Sequence, residues 1–167
     1  MTNHLSFFGN WFGQIELLTQ IVCAMVLGAA LGLERERARK PAGFRTLVLI
    51  SGSTALLVGL ARVMTADFGN IFPTGLAEAD PVRVIQSIVT AVGFLGAGTI
   101  FRRKDDDMVE GLTTAATVLL AAAVGIACAL NQFIVAIGVT VIALIVLRAL
   151  SVVERARHAR KYRQNKL

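Results

Sequence analysis

Charged and hydroxyl side chains that could bind a ligand stand at the ends of long apolar runs in this sequence. Glu34 and Arg35 follow the first run, Arg45 opens the second, and Thr113 and Thr114 open the fourth. Guanidinium and hydroxyl groups bind phosphate and carboxylate ligands, whereas carboxylate oxygens bind Mg²⁺. Because ionisable groups beside hydrocarbon are costly unless they are paired or hydrated, these residues are candidates for a binding site.

Three interpretations of these residues remain open. In the first, Glu34 pairs with Arg45 or Arg35 only to close a helix bundle, and the threonines bond to carbonyls of their own helix. In the second, arginine, threonine and glycine backbone hold a small polar or anionic ligand, or a lipid headgroup. In the third, Glu34 and Glu36 offer oxygens to a cation, although they point to different faces of a helix and no acidic residue lies in mid-span.

A glycine-rich stretch at residues 93–98 lies near the end of another apolar run and precedes Arg102, Arg103 and Lys104. In water, each glycine inside a helix costs about 1 kcal/mol relative to alanine. In a bilayer, small residues let neighbouring helices approach closely. The stretch therefore predicts a helix-packing seam and, with the charges beside it, part of the candidate site.

The composition is typical of an integral membrane protein. Of the 167 residues, 55% are hydrophobic and 17% are charged, and the mean hydropathy is +0.66. The charges fall in clusters separated by apolar runs of about 17–20 residues, the length at which a helix crosses the hydrocarbon of a bilayer. We therefore expect an all-α polytopic membrane bundle, with connections too short for a second domain.

Five transmembrane helices are predicted, at residues 15–33, 46–60, 82–100, 111–130 and 133–150. Residues 1–14 are rich in aromatic side chains and are expected to lie at the headgroup level as an interfacial segment. They lack the positive n-region of a signal peptide, so no cleavage is expected. Residues 61–80 are expected to form a solvated loop, and residues 151–167 a basic cytoplasmic tail.

The distribution of lysine and arginine predicts the orientation. The connections after the first and third spans and the tail carry nearly all of these residues, which leaves Arg62 and Arg83 for the opposite face. Because cytoplasmic segments are enriched in positive charge, the N-terminus is expected outside and the C-terminus inside. The same placement accounts for the net charge of +6 without nucleic acid as a partner. Four helix ends then converge at the cytoplasmic leaflet in a polar cluster, which consists of Glu34, Arg35, Lys40, Arg45, Gly93, Gly96, Gly98, Thr113 and Thr114.

The third predicted span carries a polar-to-small stripe that we expect to face the bundle interior. Its members recur at three- and four-residue steps, the spacing of one helix face, and are Arg83, Gln86 or Ser87, Thr90, Gly93 and Ala97. The residues expected to face lipid are Val84, Ile85, Ile88, Val89 and Val92. At the opposite face of the membrane Glu16, Asp80 and Arg83 form a second polar group. Asp80 and Arg83 can pair with each other or with Glu16, and we favour a pair between Glu16 and Arg83.

The remaining candidates favour structural roles. Three consecutive aspartates at 105–107, beside basic residues, are more typical of a solvated loop than of a cation site. Cys23 and Cys128 lie inside apolar runs without CxxC spacing or a nearby histidine, as expected of small packing residues. No nucleophile elbow, Walker sequence or catalytic dyad is present, so no enzymatic activity is expected.

Five motifs occur in order between about residues 14 and 150. They are Gly28-x3-Gly32-x-Glu34-Arg35-Glu36, Lys40-Pro41-Ala42-Gly43-Phe44-Arg45-Thr46, Asp80-Pro81-x-Arg83, Gly93-Phe94-Leu95-Gly96-Ala97-Gly98 and Gly111-Leu112-Thr113-Thr114-Ala115-Ala116. Together they resemble the MgtC/SapB family of bacterial inner-membrane proteins. The resemblance implies a multi-pass protein linked to growth at low Mg²⁺ and, in pathogens, to survival inside host cells. It also implies regulation of other membrane machinery, including the ATP synthase, and provides no catalytic residues.

Larger members of that family carry a soluble cytoplasmic domain after the last span. This chain ends in a short basic tail, so we expect a short form, and the resemblance does not extend to the functions that need that domain, virulence included. We predict a non-enzymatic regulator, a homodimer joined by small-residue seams, without a cofactor and with Mg²⁺ as a physiological signal. The alternative is a transporter or channel for Mg²⁺ or a small solute, which needs a polar path joining Glu16, Arg83 and Thr90 to the cluster.

Overall fold

The computed structural model describes residues 11–71, 81–102 and 109–164. In these ranges the chain forms five helices and one short hairpin, namely α1 (Trp11–Arg37), α2 (Phe44–Ile71), α3 (Pro81–Ala97), β1 (Phe101–Arg102), β2 (Val109–Glu110), α4 (Leu112–Ala129) and α5 (Phe133–Gln164). The predicted all-helical class is confirmed. The predictions for Asp80 and for the aspartates at 105–107 lie outside the described residues.

Three of the helices are long and apolar enough to cross a membrane, at Trp11–Arg37, Phe44–Thr65 and Leu112–Ala129. The apolar parts of α3 and α5, Val82–Ala97 and Phe133–Ala149, are shorter. Large apolar side chains cover the outer faces of the helices, and Phe94 and Ile134 are 82% and 89% exposed. An apolar surface of this extent is characteristic of a protein that faces lipid, so the chain is a membrane protein.

Three helices are longer than predicted. α5 continues to Gln164, so most of the predicted tail at residues 151–167 belongs to the last helix. α1 begins at Trp11, so residues 11–14 of the predicted interfacial segment belong to the first helix. α2 continues to Ile71, through residues that were predicted to form a loop. The Arg62 side chain in this extension donates a hydrogen bond to the backbone carbonyl of Ala129 at the end of α4. The extension is therefore held by a tertiary contact that the local sequence does not reveal.

The helix α3 is shorter than predicted and leads into the hairpin. It ends at Ala97, where the backbone N–H and the hydroxyl of Thr99 both donate to the carbonyl of Gly96, at 2.9 and 2.7 Å. Phe101 then pairs with Glu110 in the antiparallel register of β1 and β2. The ends of the predicted charged loop are thus paired strands.

Left-handed backbone conformations terminate α1 and α4. Arg39 has a φ of 54° and Asn131 a φ of 59°, and the N–H of the next residue reaches back five residues, to the carbonyls of Arg35 and Ala127. This is the Schellman arrangement, which satisfies carbonyls that a helix end leaves free. Gly111, before α4, has a φ of 93°, and a Cβ there would lie 1.9 Å from a backbone carbonyl oxygen, so a glycine is required.

The helices α1, α2 and α4 form the centre of the bundle, and α3 and α5 flank it. The contact between α1 and α2 is the most extensive, α4 packs on both, α3 packs on α4 and α2, and α5 packs on α1 and α4. Small and branched side chains dominate the core, among them Ala24, Leu31, Leu47, Ala55, Val118, Ala121, Ala122, Val124, Cys128 and Ala129. Their small volumes allow the short distances between helix axes that membrane bundles favour.

Glycines bring the central helices into backbone contact. A Cβ on Gly28 would lie 2.7 Å from a carbonyl oxygen of α2, and a Cβ on Gly125 would lie 2.4 Å from the carbonyl oxygen of Ser51. A Cβ on Gly32 would lie 2.6 Å from the first Cα atom of α2. Gly28 and Gly32, four residues apart in the first motif, therefore lie on the face of α1 that packs on α2.

The helix α3 packs with the face opposite to the one predicted. Ile88 and Val92, expected to face lipid, are only 6% and 7% exposed, whereas Val89 of the same set is exposed as predicted. The exposed residues instead include Arg83, Gln86, Ser87, Thr90, Gly93 and Ala97. The prediction that this polar-to-small stripe faces the interior is wrong for the protomer. The hydroxyls of Ser87 and Thr90 donate to carbonyls of their own helix, at 2.9 and 2.8 Å, so they need no partner inside the bundle.

Candidate functional site

Contacts between helices define two ends of the bundle. Gly32, near the end of α1, approaches Phe44 at the start of α2, and Gly96, near the end of α3, approaches Ala115 in the first turn of α4. Because the turn after α4 contacts the start of α1, α4 runs antiparallel to α1. The end of α1, the start of α2, the end of α3 and the start of α4 therefore share one end of the bundle, which we call the Glu34 end.

An ion pair is buried at the Glu34 end. The Nε atom of Arg35 donates to Oε2 of Glu34 at 2.5 Å, and the two side chains are 3% and 8% exposed. Both belong to the last turns of α1, and Leu31 and Gly32 are buried beside them. Removing one partner from such a pair leaves a buried charge uncompensated and is strongly destabilising. Of the two partners that the sequence left open for Glu34, the structure therefore selects Arg35.

Glu36 has a different role from Glu34. Its Oε2 atom accepts a hydrogen bond of 3.0 Å from the backbone N–H of Phe44, so a carboxylate on α1 caps the N-terminus of α2. Negative charge at that position also interacts favourably with the helix dipole. Lys40, in the connection, is half-buried, and Arg45 is exposed. The two glutamates therefore serve separate partners, and Arg45 is open to a ligand approaching from outside.

The predicted glycine seam is a packing contact at one of its three glycines. A Cβ on Gly96 would lie 3.4 Å from the carbonyl oxygen of Ala115 on α4, whereas a Cβ on Gly93 would meet nothing within 4 Å. A Cβ on Gly98 would meet carbonyls of the last turn of α3, with Leu95 at 3.3 Å. The seam prediction is therefore correct at Gly96 and wrong in the protomer at Gly93 and Gly98, because α4 touches α3 along a single face.

The two threonines at the start of α4 face different environments. Thr114 is buried, with 1% of its surface exposed, and Thr113 is exposed. Consecutive helix residues lie on different faces, so the two hydroxyls do not form one binding surface. The carbonyl of Thr113 accepts a bond of 2.7 Å from the Thr117 hydroxyl. Buried Ser51 likewise bonds to a carbonyl of its own helix, as one of the sequence interpretations anticipated for hydroxyls in this bundle.

A second polar group lies at the opposite, Glu16 end of the bundle. Gln20, which is 3% exposed, donates to Oε1 of Glu16 at 3.3 Å and to Oδ1 of Asn131 at 2.8 Å. The Nδ2 atom of Asn131 donates to the same Glu16 oxygen at 3.0 Å. The predicted pairing of Glu16 with Arg83 is not confirmed, since the Glu16 carboxylate has amide partners and Arg83 lies on an exposed part of α3. Sequence reasoning missed Asn131, although the predicted five-span topology places it at the same end as Gln20.

Two thiols that the sequence analysis treated separately are neighbours. Cys23 on α1 and Cys128 on α4 lie close enough for their side chains to interact, and the two cysteines form no disulfide. Their contact connects residues that are distant along the chain. It is consistent with the predicted role of both cysteines in packing.

The chemistry of the Glu34 end favours polar or anionic ligands. Within residues 11–71, 81–102 and 109–164, no group of three or more His, Cys, Asp or Glu side chains is arranged to hold a metal ion. The carboxylate of Glu34 is engaged by a guanidinium, and that of Glu36 by a backbone N–H. Exposed Arg37, Arg39 and Arg45 surround this end. Their combined field attracts negative charge.

Comparison with known proteins identifies a family profile and several relatives that resemble this chain. The profile of the MgtC family matches residues 21–156. The chain is 35% identical to Protein MgtC of Salmonella typhimurium over 127 residues, covering 76% of this chain and 49% of that protein. It is 36% identical to the putative magnesium transporter YhiD of Escherichia coli over 132 residues, covering 79% and 59%. It is 34% identical to Protein SapB of Bacillus subtilis over 118 residues, covering 71% and 49%.

The chain thus spans about half of the length of these curated relatives. No solved structure matches it. The profile match includes the core helices, the Glu34–Arg35 pair and the start of α4, and it agrees with the motifs that suggested the family from sequence. The chain therefore belongs to the MgtC family.

Proposed function

We propose that this protein is a non-enzymatic regulator that supports bacterial growth at low Mg²⁺ by acting on a membrane partner through the Glu34 end. The observation that carries the proposal is the buried Glu34–Arg35 pair, set among exposed arginines where four helix ends meet. A buried pair is weakly screened by solvent, so a charge brought close to it acts on it strongly. Binding at this end is therefore coupled to the positions of the helix ends.

The test of this site is growth at low Mg²⁺ in a bacterium whose own MgtC-family protein has been removed. Glu34→Gln, Arg45→Ala and Thr114→Val are expected to reduce growth support. Arg45→Ala replaces an exposed side chain and is expected to insert in the membrane at the wild-type level, so its growth defect carries the test. Glu34→Gln leaves buried Arg35 without its counter-charge, so its growth support is compared at equal amounts of inserted protein. The control is Arg148→Ala, which removes an exposed arginine from α5. If all three site variants support growth fully, the Glu34 end is not the regulatory site.

The proposed arrangement has five helices that span a bacterial inner membrane, with the N-terminus outside and the C-terminus inside. The Glu34 end then lies at the cytoplasmic face of that membrane. Arg37, Arg39 and Arg45 at the Glu34 end, against Arg62 and Arg83 towards the other end, support this orientation. Single cysteines introduced as Lys40→Cys and Arg83→Cys, in a background without native cysteines, are expected to react with an impermeant thiol reagent from opposite sides. Labelling of both from the same side contradicts the arrangement.

A transporter or channel for Mg²⁺ is the second candidate, because one relative is named a putative magnesium transporter. The middle of the present bundle is closed by backbone contacts of Gly28 and Gly125 with α2, and this packing supports regulation over transport. The discriminating measurement is Mg²⁺ flux into proteoliposomes that contain a Mg²⁺-sensitive dye. Saturable flux above that of protein-free vesicles overturns the regulatory proposal.

We further propose a homodimer, whose helices approach each other at the exposed small residues Gly93 and Ala97 of α3. Ala97→Cys is expected to form a disulfide between two copies in the membrane under mild oxidation, whereas Val146→Cys on the exposed face of α5 is not. Equal cross-linking by both variants contradicts this interface. The resemblance to the family further suggests the ATP synthase as a partner, which co-purification from membranes tests directly.

A further inference from the structure

An apolar groove runs along the surface of the bundle between α2 and α3. Its volume is about 570 Å³. Ile88 and Val92 of α3 are buried in its floor, and the exposed side chains of Leu49, Leu57 and Leu95 line its sides. The helix α3 packs more extensively on α4 than on α2, which leaves this space between α2 and α3 open.

One end of the groove is polar. Arg83 lies in the first turn of α3, towards the Glu16 end of the bundle, and lines the groove there. Together with Gln86, Ser87 and Thr90 it also lines an adjoining cavity of about 730 Å³. The surface therefore combines a long apolar channel with a cation and amide and hydroxyl groups at one mouth. Such a surface is complementary to an amphiphile with an anionic headgroup.

We propose that this groove binds one acyl chain of an anionic glycerophospholipid, whose phosphate is held by Arg83. Along α3, the twelve residue steps from Arg83 to Leu95 extend about 18 Å, and one leaflet of hydrocarbon is about 15 Å thick. A chain that enters beside Arg83 at the membrane surface therefore follows the whole groove. A guanidinium has five donors and binds phosphate in bidentate geometry, so Arg83 holds a lipid phosphate while keeping contacts within the protein.

The combination of shape and charge favours a lipid over a protein helix. The groove is lined by apolar side chains and has the Arg83 guanidinium at one mouth, which matches an acyl chain that ends in an anionic headgroup. The selectivity for the headgroup comes from Arg83, because the acyl chain only exchanges one apolar environment for another. Phosphatidylglycerol has a net negative charge, whereas the choline of phosphatidylcholine neutralises its phosphate internally.

The test is native mass spectrometry of the detergent-purified protein in an equimolar mixture of phosphatidylglycerol and phosphatidylcholine. The wild-type protein is expected to retain phosphatidylglycerol about tenfold in preference, the ratio expected from one charge-assisted contact. Arg83→Gln is expected to abolish the preference. Ala91→Trp, which places a large side chain in the groove, is expected to remove the bound lipid. The matched controls Arg148→Gln and Gly138→Trp alter exposed positions of α5 and are expected to behave as wild type.

Three outcomes overturn the proposal. The wild-type protein could retain both lipids equally, Arg83→Gln could keep the preference, or Ala91→Trp could dissociate a dimer without loss of lipid. The last result identifies a second copy as the occupant. Arg83→Gln replaces an exposed side chain, so it carries the test if Ala91→Trp does not fold. The headgroup contact at Arg83 lies at the Glu16 end of the bundle, away from Arg45 and the Glu34–Arg35 pair at the Glu34 end. Failure of this proposal therefore leaves the proposed function unaffected.

Discussion

Replacing Gly125 with alanine tests the backbone contact that closes the centre of the bundle. The new Cβ would lie 2.4 Å from the carbonyl oxygen of Ser51, whereas ordinary contact begins at 3.4 Å. The helices α2 and α4 must therefore separate by about 1 Å, because the obstructing atom belongs to the backbone and cannot rotate away. Overpacking of this kind costs about 1–3 kcal/mol, and the rigidity of a backbone obstacle favours the upper part of that range.

The control for this variant is Gly138→Ala on α5, where a Cβ meets nothing within 4 Å. Both substitutions replace a glycine inside a helix, so both gain about 1 kcal/mol of helix propensity. The difference between the two variants then isolates the packing cost. Equilibrium unfolding of the detergent-solubilised proteins, followed by far-ultraviolet circular dichroism, should place Gly125→Ala about 3 kcal/mol below Gly138→Ala. Equal stabilities would refute the close approach of α2 and α4.

Three further predictions use the same preparation. Arg35→Ala should lower the free energy of unfolding by about 3–5 kcal/mol, because its buried partner carboxylate loses its counter-charge. The control Arg37→Ala, at an exposed arginine, should change the free energy of unfolding by less than about 0.5 kcal/mol. Equal effects of the two variants would show that the Glu34–Arg35 pair is solvated. Asn131→Gly keeps the left-handed turn but loses the amide hydrogen bonds. Asn131→Ala should lower the free energy of unfolding by about 1 kcal/mol more than Asn131→Gly, because residue 131 has a positive φ that alanine disfavours. If chemical unfolding found the alanine variant to be the more stable of the two, the left-handed turn would be contradicted. A membrane-permeant oxidant should link Cys23 to Cys128 within one chain, which is detected as loss of thiol labelling and faster migration on a non-reducing gel; disulfides formed only between chains would contradict the contact.

The candidate site was predictable in outline because its members stand at helix ends. Apolar run lengths and charge clusters located these ends, and the alternation of helix direction then placed Glu34, Arg45 and Thr114 at the same end of the bundle. The pairing was not predictable, since Arg35 and Arg45 were equally plausible partners for Glu34. The choice depends on which side chain is buried with the carboxylate, and burial depends on neighbouring helices. The amide partners of Glu16 were missed for the same reason.

The exposed stripe of α3 shows where pattern reasoning fails in a membrane. In water the apolar face of a helix turns inward, because the outside is polar. In a bilayer both the lipid and the neighbouring helices are apolar, so the pattern does not distinguish them. Here Ile88 and Val92 fill the space against the bundle, while Ser87 and Thr90 bond to their own helix. Hydroxyls that are satisfied in this way are tolerated on the outer surface.

By itself, the sequence determined that this is a helical membrane protein of the MgtC family, because span length, charge clustering and motif order are properties of the chain read locally. The tertiary structure decided which glycines touch another backbone, which face of α3 packs inward, and that a groove with Arg83 at its mouth remains between α2 and α3. These features depend on the shape and distance of neighbouring helices. In an apolar solvent, packing rather than polarity selects among the faces that each helix offers.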